Sequence, residues 1–147
     1  MRHGRGVPYA EGMDPAFSDP RVAAVFAAFP EAVRADLMAL RRLIFATAAR
    51  TPGVGPLDET LKWGQPAYLT SSTKAGSTIR LGVAKTGECA LYVHCQTTIL
   101  SEFRAIFPDI FRYDGNRAVL FDVPPDQDAL AILITGALTW HLRKRGP

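Results

Sequence analysis

Two alternating runs joined by a short turn decide the fold. They occupy residues 78–95, which read TIRLGVAKTGECALYVHC. In the first run, apolar residues alternate with Arg80 and small residues. In the second, Tyr92 and His94 fall opposite the apolar positions. A period of two is typical of half-buried strands, and the Thr-Gly pair between the runs suits a tight turn. The stretch therefore predicts an antiparallel hairpin with one apolar face and one polar face.

Helices and a second hairpin surround this unit. Helical spacing of apolar residues predicts helices at 21–29, from Pro30 to a loop at 51–56, at 97–107 and at 126–143. Further strands are predicted at 61–69, 110–113 and 117–123, and Pro66 would make the first of them an edge or bulged strand. The order is α-α-β-β-β-α-β-β-α. We expect an α+β fold in which helices cover one face of an antiparallel sheet of about five strands.

Length and composition favour one globular domain. The chain has 147 residues, 48% of them hydrophobic, which suits a single core. Residues 1–17 are rich in Gly and Pro and are expected to form a loose tail before a domain at 18–147, with Met13 as a possible true start. No apolar run approaches the length of a membrane span, and the first residues do not resemble a secretory signal. We expect a cytoplasmic protein with no membrane contact.

Charge and cysteine content argue against several classes of partner. The net charge of +3 is mild and mostly scattered, without the basic stripe typical of nucleic-acid binding. Cys89 and Cys95 are too far apart in one strand to form a disulfide and are expected to be reduced, buried thiols. No spacing typical of a zinc site, a P-loop or a nucleophile elbow is present. We therefore expect no nucleic acid, metal or cofactor.

The most distinctive motif lies at 58–68 and reads DETLKWGQPAY. It resembles the signature of the YdhG-like family, a bacterial family of small domains of unknown function: an acidic residue, an apolar-Lys-Trp-Gly core, then polar-Pro-x-Tyr. The helix that begins at Asp19-Pro20, the helix that follows Pro30 and the closing helix also resemble family features. The resemblance covers residues 13–144 and implies an α+β fold with an antiparallel sheet.

The same resemblance raises an iron-binding alternative. Some members of the family are described as frataxin-like iron chaperones, a role that rests on acidic surface residues offering oxygen ligands. This sequence departs from that pattern in its first two helices. There Glu31 and Asp36 are accompanied by several basic residues, namely Arg21, Arg34, Arg41 and Arg42.

A candidate ligand site is predicted on the polar face of the sheet. Arg80, Tyr92 and His94 share that face, and the motif strand would add Lys62 and Tyr68, with Trp63 or Gln65 near the rim. Small residues between them would leave a concavity. Cations and aromatic rings suit an anionic or aromatic small molecule. The alternative for Trp63 is an anchor in the core.

Three functional classes remain open from the sequence. The first is a module that binds a small ligand or a protein partner, including a second copy of the chain through an exposed strand edge. The second is a frataxin-like iron-binding protein. The third is an enzyme of unknown class, which no catalytic motif supports.

Overall fold

The computed structural model describes residues 14–94, 96–121 and 126–145. Its helices are α1 (Pro20–Ala28), α2 (Glu31–Arg50), α3 (Ile99–Ile106), α4 (Gln127–Leu138) and α5 (Trp140–Arg145). Its strands are β1 (Asp58–Lys62), β2 (Gln65–Leu69), β3 (Ile79–Val83), β4 (Cys89–Tyr92), β5 (Arg112–Asp114) and β6 (Ala118–Phe121). The predicted end of the second hairpin at 122–123 lies outside the described residues.

The strands form one antiparallel sheet in the order β1-β2-β3-β4-β6-β5. Helices α2 and α4 pack together and contact its central strands, while α1 contacts β1 and β2. The core therefore lies between this helical layer and one face of the sheet. The α+β class and the antiparallel sheet predicted from the sequence are confirmed.

Local sequence explains the first two helices. The carboxylate of Asp19 accepts the backbone N–H of Arg21 and caps α1, and Pro20 occupies its first turn, where a missing N–H costs nothing. In α2 the predicted apolar stripe is confirmed. Its members Val33, Leu37, Leu40, Ile44 and Ala48 are all buried, as a helix covering a sheet requires.

The main departure from the predicted fold is the number of strands. The run at 61–69 was expected to be one interrupted strand, but it belongs to two strands joined by Trp63 and Gly64. Both residues have positive φ, 57° and 76°, as a two-residue type I′ turn requires. The sheet consequently has six strands instead of five.

Pro66 is accommodated inside the sheet. It pairs with Leu61 on β1, whereas the pairing of β2 with β3 begins only at Ala67. Its missing N–H therefore removes no bond from the β2–β3 ladder. The expectation that proline would make its strand an edge or a bulged strand was wrong, because β1 forms that edge and the β1–β2 register runs without a bulge.

The chain ends differ from expectation in two places. Residues 14–17 were assigned to a loose tail, but the carbonyls of Pro15 and Ala16 accept hydrogen bonds from the buried Arg41. The long closing helix is broken at Thr139, whose N–H and hydroxyl both bond to the Thr135 carbonyl. Residues 1–13, including Met13, lie outside the described residues. None of the helices in the described part of the chain has the length and apolar character of a membrane span.

The loop between β2 and β3 is fixed against the end of α4. Ser77 N–H donates to the Ala137 carbonyl at 2.8 Å, and His141 N–H donates to the Ala75 carbonyl at the same distance. Gly76 packs so closely that an added Cβ would lie 2.4 Å from the Leu138 carbonyl oxygen. Only glycine fits at this contact.

We expect Gly76→Ala to lower the free energy of unfolding by about 1–3 kcal/mol or more. The added methyl group would meet backbone atoms of Leu138, which cannot move aside as a flexible side chain can. Gly136→Ala is the matched control. Its added Cβ would meet nothing within 4 Å, and alanine in a helix interior should stabilise by up to about 1 kcal/mol. Urea denaturation measures both. Equal effects of the two changes would contradict the close contact at Gly76.

Candidate functional site

The face of the sheet turned away from the helices carries most of the predicted site residues. Strand register places Arg80 directly opposite Tyr92 and Lys62 directly opposite Gln65. Paired residues in an antiparallel sheet share a face. Gln65 also shares a face with Ala67, two residues further along β2, and Ala67 pairs with Arg80. All four side chains therefore project from the same face. The sequence placed Arg80 and Tyr92 on this face, added Lys62 from the motif strand and set Gln65 near the rim; the register brings all four to one face. We call this surface the open face.

Arg80 is held in place by two neighbours. Its Nη1 donates to Gln65 Oε1 at 2.5 Å, and its guanidinium lies 5.2 Å from the centroid of the Tyr92 ring. No carboxylate among the described residues pairs with Arg80 or with Lys62. The guanidinium is thus oriented by neutral groups and keeps its charge available.

A cleft of about 410 Å³ opens beside Arg80. Its volume falls in the range of small-molecule sites, roughly 300–1,000 Å³. The lining includes three permanent cations and no carboxylate. The lining residues are Lys62, Trp63, Thr78, Arg80, Val93, His94 and Arg117.

Trp63 stands at the tip of the β1–β2 turn with 88% of its side chain exposed. Its interpretation as a core anchor was wrong, because a two-residue turn projects its residues away from the sheet. Gln65, two residues after Trp63, lies over Gly82, which is close to the end of β3. Thr78 lies just before the start of β3, yet Trp63 and Thr78 line the same cleft. The exposed indole therefore forms part of the rim of this cleft.

His94 and Arg117 form the opposite wall. The Nδ1 atom of His94 accepts the Gln96 N–H at 3.1 Å, so Nε2 carries the proton of the neutral ring and can donate. Arg117 reaches this position because its carbonyl accepts the Val93 N–H at 2.8 Å. Its guanidinium also pairs with Asp114 at 3.1 Å. Both partners are well exposed, so this pair neutralises Arg117 only in part.

The expected hollow at the small residues of β3 is not present. A Cβ added to Gly82 would lie 2.7 Å from Gln65 Nε2 and 3.4 Å from a ring carbon of Tyr92. These two side chains cover the glycine. Gln65 and Tyr92 thus orient the Arg80 guanidinium and cover Gly82. Neither residue lines the cleft.

Tyr68 does not belong to the open face, and its predicted place there was wrong. In one continuous strand, Lys62 and Tyr68 would share a face because six residues separate them. The two-residue turn instead sets Lys62 opposite Gln65, which moves Tyr68 to the helical side. Its side chain is wholly buried.

Tyr68 belongs instead to a buried ionic network. Its hydroxyl donates to Glu59 Oε2 at 2.8 Å. Arg41, also fully buried, donates Nε to Oε2 at 2.6 Å and Nη2 to Oε1 at 2.9 Å. Phe17 covers the guanidinium, with 3.8 Å between its ring centroid and the Arg41 Cζ. Burial, with the Glu59 carboxylate next in importance, raises the pKa of Tyr68 and keeps it protonated as a donor.

The metal-ligating residue types are dispersed. Within residues 14–94, 96–121 and 126–145, no group of three or more His, Cys, Asp or Glu side chains is placed to hold an ion. Cys89 is buried with its Sγ 3.9 Å from the Val33 carbonyl oxygen. Cys95 lies outside the described residues.

Three lining residues were missed from the sequence: Thr78, Val93 and Arg117. The strand beginning at Arg117 was predicted, but nothing in the sequence showed that it pairs with β4. That pairing brings Arg117 beside His94. Thr78 carried a usable signal, since it alternates in phase with Arg80.

Comparison with known proteins found no family profile, curated protein or solved structure that matches this chain. The resemblance of residues 58–68 to the YdhG-like signature therefore stays a prediction.

We expect Glu59→Gln to lower the free energy of unfolding by about 3–5 kcal/mol, because it leaves Arg41 buried without a counter-charge. Tyr68→Phe removes one hydrogen bond to a charged acceptor and should cost less, about 1–3 kcal/mol. Urea denaturation measures both changes.

Asp14→Asn is the control for this pair of variants. It removes the charge of Asp14, which forms an ion pair with Arg42 in a more exposed position. The free energy of unfolding should change by no more than about 1 kcal/mol. The buried network would lose its assigned role if Glu59→Gln were no more damaging than Asp14→Asn.

Proposed function

We propose that the cleft on the open face binds a small anionic molecule that carries a planar ring, and that the protein is a ligand-binding module. The observation that supports this most is the charge of the lining. Lys62, Arg80 and Arg117 surround one cleft that no carboxylate lines. Like charges held close together destabilise a fold, and an anion between them relieves that repulsion.

The anion would be held mainly by Arg80. An arginine presents a planar fork of donors that matches carboxylate and phosphate oxygens. Gln65 and Tyr92 already orient this fork, so little side-chain freedom is lost on binding. The Nε2–H of His94 adds a donor to the lining of the cleft.

Trp63 supports the planar part of the ligand. A bulky residue with positive φ is costly, by about 1–2 kcal/mol relative to the ordinary helical region. Burial of the side chain does little to offset this backbone strain, because 88% of the side chain is exposed. Such strain is typical of functional positions. An exposed indole at the rim of a cationic cleft is suited to stack on a ring.

The proposal assigns binding and no reaction. It extends to the context that the motif implies: a YdhG-like protein of the bacterial cytoplasm. The second candidate function is binding of a protein partner at the same face. Binding of a small anion by the protein alone distinguishes the two.

The test uses phenyl phosphate, a probe that combines one ring with one phosphate, in isothermal titration calorimetry. We expect Arg80→Gln to raise its dissociation constant about tenfold or more, the equivalent of one charge-assisted hydrogen bond. Glycerol phosphate, which lacks the ring, should bind more weakly than phenyl phosphate to the unaltered protein.

Arg34→Gln is the matched control, because it removes the same charge from the exposed surface of α2. It should leave the dissociation constant unchanged. The proposal is wrong if neither phosphate binds at millimolar concentration, or if Arg34→Gln weakens binding as much as Arg80→Gln.

A further inference from the structure

A second cleft adjoins the first on the same side of the sheet. Its volume is about 350 Å³, and Thr78 lines both clefts. Its lining combines hydroxyl residues, one lysine and one histidine with Leu69 and Gly76. The lining residues are Leu69, Thr70, Ser71, Lys74, Gly76, Thr78 and His141. Thr78 is therefore the point at which the two clefts meet.

Hydrogen bonds within the β2–β3 loop shape the second cleft. The Thr70 hydroxyl accepts the Gly76 N–H at 2.9 Å, and the Thr70 carbonyl accepts the Lys74 N–H at 2.6 Å. The loop is also bonded to the last turn of α4 and to the His141 N–H. These bonds fix the backbone at Lys74 and His141 before any ligand arrives, which lowers the cost of binding.

Backbone strain marks both clefts. Among the described residues, the non-glycine residues with positive φ are Trp63 and Lys74, both at 57°. Trp63 lines the first cleft and Lys74 lines the second. Each residue carries a side chain suited to a different part of one molecule: an aromatic plate for a ring and a point charge for a phosphate.

We infer that the two clefts form one elongated site and that its ligand is a nucleoside diphosphate or triphosphate. This inference rests on the proposed function of the first cleft. The base stacks on Trp63, and Arg80 and Lys62 bind the phosphate nearest the nucleoside. The chain of phosphates passes Thr78, where a hydroxyl can donate, and its end reaches Lys74. The second cleft is thus a subsite for the terminal phosphates.

The test compares AMP with ADP on the full chain, without divalent cations, by isothermal titration calorimetry. We expect ADP to bind more tightly than AMP. Lys74→Gln should weaken ADP about tenfold, the effect of one lost charge-assisted contact, and should leave AMP unchanged. Lys85→Gln is the matched control, because Lys85 is exposed in the β3–β4 turn and should affect neither nucleotide.

Trp63→Ala supplies the second arm of the test. It should weaken AMP and ADP alike, since stacking on an aromatic side chain contributes about 1–3 kcal/mol per base. It should leave inorganic pyrophosphate unchanged. Circular dichroism and thermal unfolding of each variant show whether the fold is intact, and both substituted side chains are exposed.

The possible failures are distinguishable. One outcome is that ADP and AMP bind equally, that Arg80→Gln weakens both, and that Lys74→Gln changes neither. In that case the second cleft is not a subsite, while the proposed anion site in the first cleft stands. If no nucleotide or phenyl phosphate binds, the proposed function fails as well. If a single-stranded oligonucleotide binds far more tightly than ADP and its affinity rises with length, the ligand is a nucleic acid and the nucleotide assignment is wrong.

Discussion

The bidentate ion pair between Arg41 and Glu59 is the interaction on which the rest of the structure depends. It joins α2 to β1, and the Tyr68 hydroxyl ties β2 to the same carboxylate. Arg41 also bonds the carbonyl of Pro15, so the segment before α1 closes over the pair. A buried charge is tolerated only when its hydrogen-bonding groups are matched. The network therefore fixes which side of β1 faces the helices.

That choice determines the opposite side as well. Side chains alternate along a strand, so a slip by one residue would bury Lys62 and expose Glu59. With Glu59 inside, Lys62 must project from the open face. The motif 58–68 thus has two halves with different tasks. Glu59 and Tyr68 secure the sheet against the helices, while Lys62, Trp63 and Gln65 form and support the cleft.

Much of this arrangement was accessible from the sequence, and the largest failures follow from one missed turn. Alternation located Arg80, Tyr92 and His94 on one face, because a period of two is a direct consequence of strand geometry. The turn at Trp63 and Gly64 was missed, because type I′ turns usually carry Asn or Gly at their first position. That single omission lost a strand and put Tyr68 on the wrong face. Arg117 required knowledge of a long-range pairing that no local pattern encodes.

The central claim is that the open face, and no other surface, binds a small anion. A titration of isotope-labelled protein with phenyl phosphate, followed by amide NMR chemical shifts, tests it most directly. The account predicts saturable shifts confined to residues around the cleft, in the turn at Trp63, at Thr78 and Arg80, and near His94 and Arg117. Shifts centred on α2 or α4, or no shifts at millimolar probe, would contradict it.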